Sequence, residues 1–196
     1  GGRELRMMLP MVTEISEIRQ ARAIIDKEVR HLARFAHHLP NTLKLGVMIE
    51  VPSLLWQLEE VMEAVDFVSV GSNDLFQFVT ATDRGSTQLA GRFNPISTHF
   101  LRLLRHITRT SEKTGTPATL CGELAGRALS AMALLSIGFR SISMAPAAIG
   151  PVKAMLTELP LEKLTDLMNE TLDGNSAETD IVGLLTAFAA DHDIPL

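Results

Sequence analysis

The sequence alternates short apolar runs with longer amphipathic segments, and this alternation limits the possible fold more than any other feature. Each run has six to eight residues, and several of them lack a strict apolar–polar alternation. Such runs are typical of strands that are covered on both faces, as in a parallel sheet. The predicted strands are Arg6–Val12, Lys44–Val51, Val65–Gly71, Pro117–Gly122 and Arg140–Ala145.

The segments between these runs have the period of amphipathic helices. In the first segment, apolar residues recur every three or four positions from Ile15 to Ala36, with Thr13 as the predicted N-cap. Gly138 is the predicted C′ glycine of a later helix. The other predicted helices are Ser53–Val65, a helix that follows Ser97, Leu124–Ile137, Leu161–Leu172 and Ile181–Ala190, with a loop at Asp173–Glu178.

Strands and helices in repeated succession predict an α/β fold with right-handed crossovers. Two architectures remain open at this point, an open doubly wound sheet and a (β/α)₈ barrel. A barrel has eight strands and about 250 residues, whereas this chain has 196 residues and five predicted strands. The chain is therefore either a five-stranded open sheet or part of a barrel whose first strands lie elsewhere.

Composition excludes several classes of protein. The chain is 46% hydrophobic but only 5% aromatic, so the core is aliphatic, and its net charge of −5 argues against a nucleic-acid binder. No apolar run approaches the roughly 20 residues of a membrane span. Cys121 is the single cysteine, which excludes an internal disulfide. We therefore expect a cytoplasmic protein that binds neither nucleic acid nor membranes.

Charged and polar side chains follow the predicted strands at their carboxyl ends, where active sites form in both architectures. Two carboxylates from neighbouring strand ends suit Mg²⁺, arginine suits phosphate, and a thiol can protonate a carbanion-like carbon. Each residue alone has a more common structural explanation, as a strand end, a turn or a buried small side chain. Their coincidence predicts a site, and the candidates are Arg6, Glu50, Asn73, Asp74, Arg84 and Cys121.

Three segments carry a resemblance to the phosphoenolpyruvate-utilising enzymes. GVMIEVPSLLWQLEEVMEAVDFVSVGSNDLFQFVTATDRGS (Gly46–Ser86) resembles the second signature of that family, and LCGELAG (Leu120–Gly126) resembles its cysteine motif. RMMLPMV resembles a strand of the family that begins with arginine. The resemblance extends to about Lys153.

Finer features resemble one branch of this superfamily. TATDRGS after SNDLFQF resembles enzyme I of the phosphotransferase system, a phosphoenolpyruvate-protein phosphotransferase. VPSLLWQ, VGSNDLFQF and PAAIGPVKAM resemble the nitrogen-related enzyme I. The sequence departs from the branch at Ser86, where asparagine is usual, and at Phe78, where the sugar branch often has tyrosine.

The resemblance implies a fold and a set of roles. It favours the C-terminal part of a (β/α)₈ barrel, with about five of eight strands present. Residues 1–196 would form one partial phosphoenolpyruvate-binding domain with a helical tail from about 159 to 196. Glu50 and Asp74 would bind Mg²⁺. Asn73, Asp74 and Arg84 would bind phosphoenolpyruvate, Arg6 would support its anionic groups, and Cys121 would be the proton donor.

The resemblance also implies a reaction and partners. The phosphoryl group of phosphoenolpyruvate would pass to a histidine on an N-terminal domain that this sequence lacks, and then to an HPr-like carrier protein, leaving pyruvate. The parent family dimerises through the barrel, so a homodimer is expected. We predict that the histidines present are surface residues and not the acceptor, namely His31, His37, His38, His99, His106 and His192.

Two other interpretations remain open. A fragment of a pyruvate phosphate dikinase or phosphoenolpyruvate synthase would share the Asn-Asp and Cys-Gly-Glu elements. A non-catalytic regulatory or dimerisation module would need neither metal nor substrate, although the intact candidate residues weigh against it.

Overall fold

The computed structural model describes residues 3–83, 85, 86, 89, 91–174 and 179–196. Its strands are β1 (Glu4–Leu9), β2 (Thr42–Ile49), β3 (Phe67–Gly71), β4 (Ala118–Cys121) and β5 (Ile142–Ser143). Its α-helices are α1 (Ile15–Arg34), α2 (Leu58–Glu63), α3 (Ser72–Thr80), α4 (Thr98–Thr114), α5 (Ala128–Ser136), α6 (Pro146–Glu158), α7 (Leu161–Asp173) and α8 (Ile181–Asp191).

The order of the strands decides between the two predicted architectures. Within the described residues the five strands form one sheet in the order β1-β2-β3-β4-β5, and all neighbours are parallel. Right-handed crossovers between consecutive strands place every connecting helix on the same face of the sheet. A doubly wound sheet instead reverses its strand order at a switch point. The predicted α/β fold, as part of a (β/α)₈ barrel, is confirmed.

All five predicted strands are present, with bounds that differ by at most three residues. The largest difference is at the end of β1, which stops at Leu9 instead of Val12. Pro10 has no backbone N–H to donate, and Met11 has a positive φ of 55°. Both features end the strand and turn the chain towards α1.

The predicted N-cap of α1 was wrong, because Glu14 occupies that position instead of Thr13. The Glu17 carboxylate accepts hydrogen bonds from the backbone N–H and hydroxyl of Thr13 and from the N–H of Glu14. These donors, chiefly the Thr13 N–H, hold the pKa of Glu17 below its usual range. The helix start is thus a capping box built on two glutamates.

Two predicted helices each divide into a 3₁₀-helix and an α-helix. The predicted helix Ser53–Val65 corresponds to the 3₁₀-helix Pro52–Gln57 followed by α2, and the predicted helix Leu124–Ile137 corresponds to the 3₁₀-helix Glu123–Gly126 followed by α5. Gly138 follows α5 with a φ of +110°, as a C′ glycine does. The predicted loop Asp173–Glu178 lies mostly outside the described residues.

The sheet presents two different faces. One face packs against the helices and forms the core, with Leu45, Val47, Ile49, Val68, Val70 and Leu120 all almost fully buried. The alternate residues point to the opposite face, because side chains alternate along a strand. On that face lie Met48, Glu50, Ser69, Gly71, Cys121 and Ser143. The fold therefore gathers polar groups on the face away from the core, at the carboxyl ends of the strands.

The last helices pack onto the body of the fold. Arg105 on α4 is only 7% exposed and donates to Asn169 Oδ1 at 3.2 Å and to Asp173 Oδ1 at 2.6 Å, which joins α4 to α7. Leu185 of α8 belongs to the same buried core. Among the helices that the structure describes, none is both long and apolar enough to cross a bilayer.

Candidate functional site

The carboxylate of Glu50 is buried at the carboxyl end of β2. The residue is 3% exposed, and its Oε1 accepts a hydrogen bond of 2.7 Å from the backbone N–H of Met11. A methyl group built on Gly71 would approach Oε2 to 2.9 Å. One carboxylate oxygen is therefore fixed by the loop after β1, and the other lies beside the end of β3.

The chain passes from β3 directly into α3, whose first turn contains Ser72, Asn73 and Asp74. Backbone N–H groups in the first turn of a helix have no partner within the helix, and the helix dipole is positive there. Both properties favour an anion. Because Ile49 is paired with Val70, Glu50 lies opposite Gly71, three residues before Asp74. The two carboxylates thus come from neighbouring strand ends.

Cys121 ends β4 as the register partner of Gly71. Its Sγ accepts a hydrogen bond of 3.6 Å from the Ser69 hydroxyl and donates to the Val70 carbonyl at 3.5 Å. Its own carbonyl accepts a hydrogen bond of 2.8 Å from the Ser72 hydroxyl. The thiol is half-buried, on the same face of the sheet as Glu50. The orientation of this thiol is therefore set by β3.

Sequence reasoning missed Ser69, although the alternation of β3 could have identified it. Ser69 lies two residues before Gly71 and therefore on the same face. A hydroxyl that donates to sulfur stabilises a thiolate. We expect Ser69→Ala to react about three- to tenfold more slowly with iodoacetamide at neutral pH, a loss of about 0.7–1.4 kcal/mol.

The reaction reports on a single site, because Cys121 is the only cysteine. Ser16→Ala, in the first turn of α1, is the matched control and should react at the parent rate, because the Ser16 hydroxyl donates to Glu14 and not to the thiol. Equal rates for Ser69→Ala and the parent would contradict the role assigned to this hydroxyl.

Gly122 follows Cys121 with a φ of +126°, a conformation that side chains rarely adopt. A methyl group at this position would collide with the Ser72 hydroxyl and lie 3.0 Å from Asn73 Oδ1. The glycine therefore allows the loop after β4 to approach the first turn of α3 closely.

We expect Gly122→Ala to lower the free energy of unfolding by about 2–4 kcal/mol, measured by urea denaturation, since backbone strain and steric overlap add. Gly150→Ala is the matched control. A methyl group there meets no atom within 4 Å, and the residue lies within α6. Alanine is the better helix former, but a Cβ directly before Pro151 disfavours the helical conformation, so this variant should stay within about 1 kcal/mol of the parent. Equal losses in the two variants would contradict the prediction.

The carboxyl ends of β2, β3 and β4 and the first turn of α3 together form the rim of the sheet. A pocket of about 270 Å³ borders this rim. Asn73, Phe76, Phe93 and Arg127 line it. The side chain of Arg127 makes no hydrogen bond or ion pair within the part of the chain that the structure describes. Sequence reasoning missed this residue, although it directly follows the LCGELAG segment. Its guanidinium group places a positive charge in the same pocket as Asn73.

The structure does not bring Arg6 to the rim. Arg6 is paired in register with Lys44, six residues before Glu50, which corresponds to about 20 Å along the sheet. Its guanidinium forms a 2.7 Å ion pair with Glu4 and lies 5.7 Å from the centroid of the Phe67 ring. Hydrogen bonds from Arg6 and Lys44 lower the pKa of Glu4. Arg6 therefore belongs to a salt-bridge cluster near the amino ends of the strands.

Arg84, the other predicted arginine, lies outside the described residues. The prediction of surface histidines is confirmed for five of the six, which are exposed, whereas His192 is half-buried and stacks on Phe188 with the ring centroids 4.3 Å apart. None of the six belongs to the rim.

The residues at the rim fit a magnesium ion that is completed by substrate. Mg²⁺ takes one or two protein carboxylates and fills its octahedron with water and substrate oxygens. Glu50 and Asp74 would supply those carboxylates. No group of three or more histidine, cysteine or acidic side chains forms a potential metal site among the residues that the structure describes. An ion here would therefore rely on substrate and water for most of its ligands.

The family model and the relatives found by sequence agree on one family. The model of the PEP-utilising enzyme, PEP-binding domain, matches residues 2–160. Multiphosphoryl transfer protein 1 of Escherichia coli (strain K12) is 34% identical over 189 residues, which are 96% of this chain and 23% of that protein. Phosphoenolpyruvate-protein phosphotransferase of Latilactobacillus sakei is 30% identical over 189 residues, which are 96% of this chain and 33% of that protein.

The chain thus spans between 23% and 33% of the length of these two relatives. A crystal structure of a citrate lyase from Burkholderia xenovorans LB400 matches 96% of this chain and 64% of its own, with a TM-score of 0.57 and 14% identity. At that identity the likeness concerns the fold alone.

Proposed function

Because this chain belongs to the phosphoenolpyruvate-utilising enzymes, as their phosphoenolpyruvate-binding domain, we propose that it binds phosphoenolpyruvate and Mg²⁺ at the carboxyl rim of its sheet. The observation that carries the proposal is the register of three neighbouring strands, which aligns Glu50, Gly71 and Cys121. Asp74 follows in the first turn of α3. A metal ligand pair, an anion site and a proton donor would then share one substrate-sized region.

The phosphate of the substrate would lie at the start of α3. The Asn73 side chain and the backbone N–H groups of the first turn donate to its oxygens, and the helix dipole favours its charge. Arg84 is proposed as a further phosphate ligand on the strength of the motif. Arg6 is left out of the proposed site because of its distance from the rim.

Glu50 and Asp74 would hold Mg²⁺. When bound, the ion neutralises phosphate oxygens and stabilises the negative charge that develops on the departing enol oxygen. The hydrogen bond from Met11 N–H keeps Glu50 Oε1 in place, so the carboxylate needs little rearrangement to bind. Such a preorganised group lowers the cost of neutralising the transition state.

Cys121 would complete the reaction by protonation. The bond between phosphorus and the enol oxygen breaks, the phosphoryl group passes to an imidazole nitrogen, and the enolate of pyruvate remains. The Cys121 thiol then gives its proton to the methylene carbon, which yields pyruvate and a thiolate. The Ser69 hydroxyl stabilises that thiolate until a proton from water replaces the one transferred.

The acceptor and the partners are proposals that extend beyond this chain. The imidazole would belong to a histidine on another domain, and an HPr-like carrier protein would receive the phosphoryl group next. We further propose a cytoplasmic homodimer of the nitrogen-related branch, based on the VPSLLWQ, VGSNDLFQF and PAAIGPVKAM segments. The names of the two relatives favour a phosphotransferase over a dikinase or a synthase.

Calorimetry on this chain tests the proposal. Titration with phosphoenolpyruvate should give measurable heat in the presence of Mg²⁺ and none after the metal is removed with EDTA. Binding of equal strength with and without Mg²⁺, or no binding in either case, would favour a non-catalytic module instead.

A second measurement tests whether the chain is sufficient for the whole reaction. Mixed with ³²P-labelled phosphoenolpyruvate and an HPr-like carrier, the chain should leave the carrier unlabelled, because no rim residue that the structure describes is a histidine. Rapid labelling of the carrier would contradict this expectation.

A further inference from the structure

A second cavity, of about 160 Å³, lies at the opposite end of the sheet from the rim. The chain enters β4 after α4 and enters β5 after α5, so the turns that end these helices lie at the amino ends of the strands. The cavity lies between the second half of α4, the turn around Gly138 and one side of α7. It is therefore separate from Glu50, Asp74 and Cys121.

Three arginines line this cavity, namely Arg105 and Arg109 of α4 and Arg140 before β5. Arg105 is the buried member, with 8% of its side chain exposed, and its charge is balanced by Asp173 at 2.6 Å. Its second bond, to Asn169, holds it in the wall of the cavity. Arg105 is thus a fixed part of the wall, whereas Arg109 and Arg140 are exposed.

The other two arginines have no counterion within the described residues. Arg140 uses Nη1 to donate to the carbonyls of Leu135 and Phe139, which leaves its Nε and Nη2. Glu112, the one carboxylate in the wall, also makes no ion pair in that part of the chain. Two uncompensated cations against one anion leave the cavity positive, although the whole chain carries a charge of −5.

Three hydroxyl groups line the cavity, those of Thr108, Ser136 and Thr165, and the first two are already committed as donors. Thr108 donates to the carbonyls of Arg105 and Ile137, and Ser136 donates to the carbonyl of Ala133. Recognition of a ligand would therefore depend chiefly on the arginine guanidinium groups, whose planar N–H donors match the oxygens of a phosphate. The volume equals that of about five water molecules, which suits one compact anion.

We propose that this cavity is a second anion site, which binds a phosphate group independently of the phosphoenolpyruvate site. The proposal depends on Arg109 and Arg140, which have no counterion among the described residues, and on Arg105, which is held in the wall of the cavity. It does not depend on the activity proposed for the rim, because none of these residues belongs to it.

Titration of the full chain with inorganic phosphate, followed by ¹H–¹⁵N spectra, tests this site. The amides of Ile137, Gly138 and Arg109 should shift together, with a Kd of about 1–10 mM. Amides of Ser72 and Asn73 would report any binding at the rim, so the two sites are distinguished in one experiment. Sodium acetate at equal ionic strength is the control for general screening.

Arg109→Ala should weaken the phosphate-dependent shift of Gly138 at least fivefold, and this exposed residue can be replaced without disturbing the core. Arg30→Ala, exposed on α1, should leave it unchanged. The proposal is overturned if phosphate leaves the Gly138 amide unmoved, if acetate moves it equally, or if Arg109→Ala binds as the parent does.

Discussion

Asp74→Ala is expected to lower the affinity for phosphoenolpyruvate in the presence of Mg²⁺ by about 100-fold or more, equivalent to at least about 2.7 kcal/mol. The variant removes one of two carboxylates proposed to hold the ion. The remaining carboxylate, Glu50, is 3% exposed and would then face a cation without its partner. Calorimetry with and without Mg²⁺ measures the change directly.

The fold should survive this substitution. Asp74 lies in the first turn of α3, where its charge contributes about 0.3–1 kcal/mol through the helix dipole. Asp26→Ala, exposed on α1, is the matched control and should bind as the parent does. Affinity within threefold of the parent for Asp74→Ala would show that this carboxylate holds no ion.

Cys121→Ala is expected to slow the exchange of pyruvate methyl protons with deuterium from solvent by at least about 100-fold, the usual range for loss of a general acid or base. Protonation of the enolate and removal of a methyl proton are the same step in opposite directions. The proton leaves the methyl carbon for the thiolate, and a deuteron returns to the enolate. Proton NMR in D₂O with Mg²⁺ present measures the rate.

Binding separates this effect from misfolding. Cys121→Ala should keep the Mg²⁺-dependent affinity for phosphoenolpyruvate within about twofold, since the thiol contacts Ser69 and Val70 and no proposed metal ligand. Exchange at the parent rate in this variant would mean that another group handles the proton.

The sheet could be predicted from the sequence because its strands are nearly continuous apolar runs. Leu45, Val47 and Ile49 must be buried whatever the architecture, and the run containing them can be placed without a structure. The choice between barrel and open sheet could not be made this way. It depends on strand order, which no local pattern encodes, and only the resemblance favoured the correct answer.

The sequence predicted some residues of the candidate site and missed others, because the position of a residue along its strand decides whether it lies at the rim. Residues at the carboxyl ends of runs, such as Glu50 and Cys121, fall on the rim by topology alone. Arg6 was expected with them although it stands near the start of its run, and the register places it about six residues away. Ser69 and Arg127 were missed because their importance depends on neighbours from other elements.

Crystals grown with phosphoenolpyruvate and Mn²⁺ in place of Mg²⁺ would show where the proposed ion binds, since the anomalous signal of manganese locates it. We expect one ion within about 2.1–2.3 Å of an oxygen of Glu50 and an oxygen of Asp74. An ion bound elsewhere, or held by one of these carboxylates while the other points away, would contradict it.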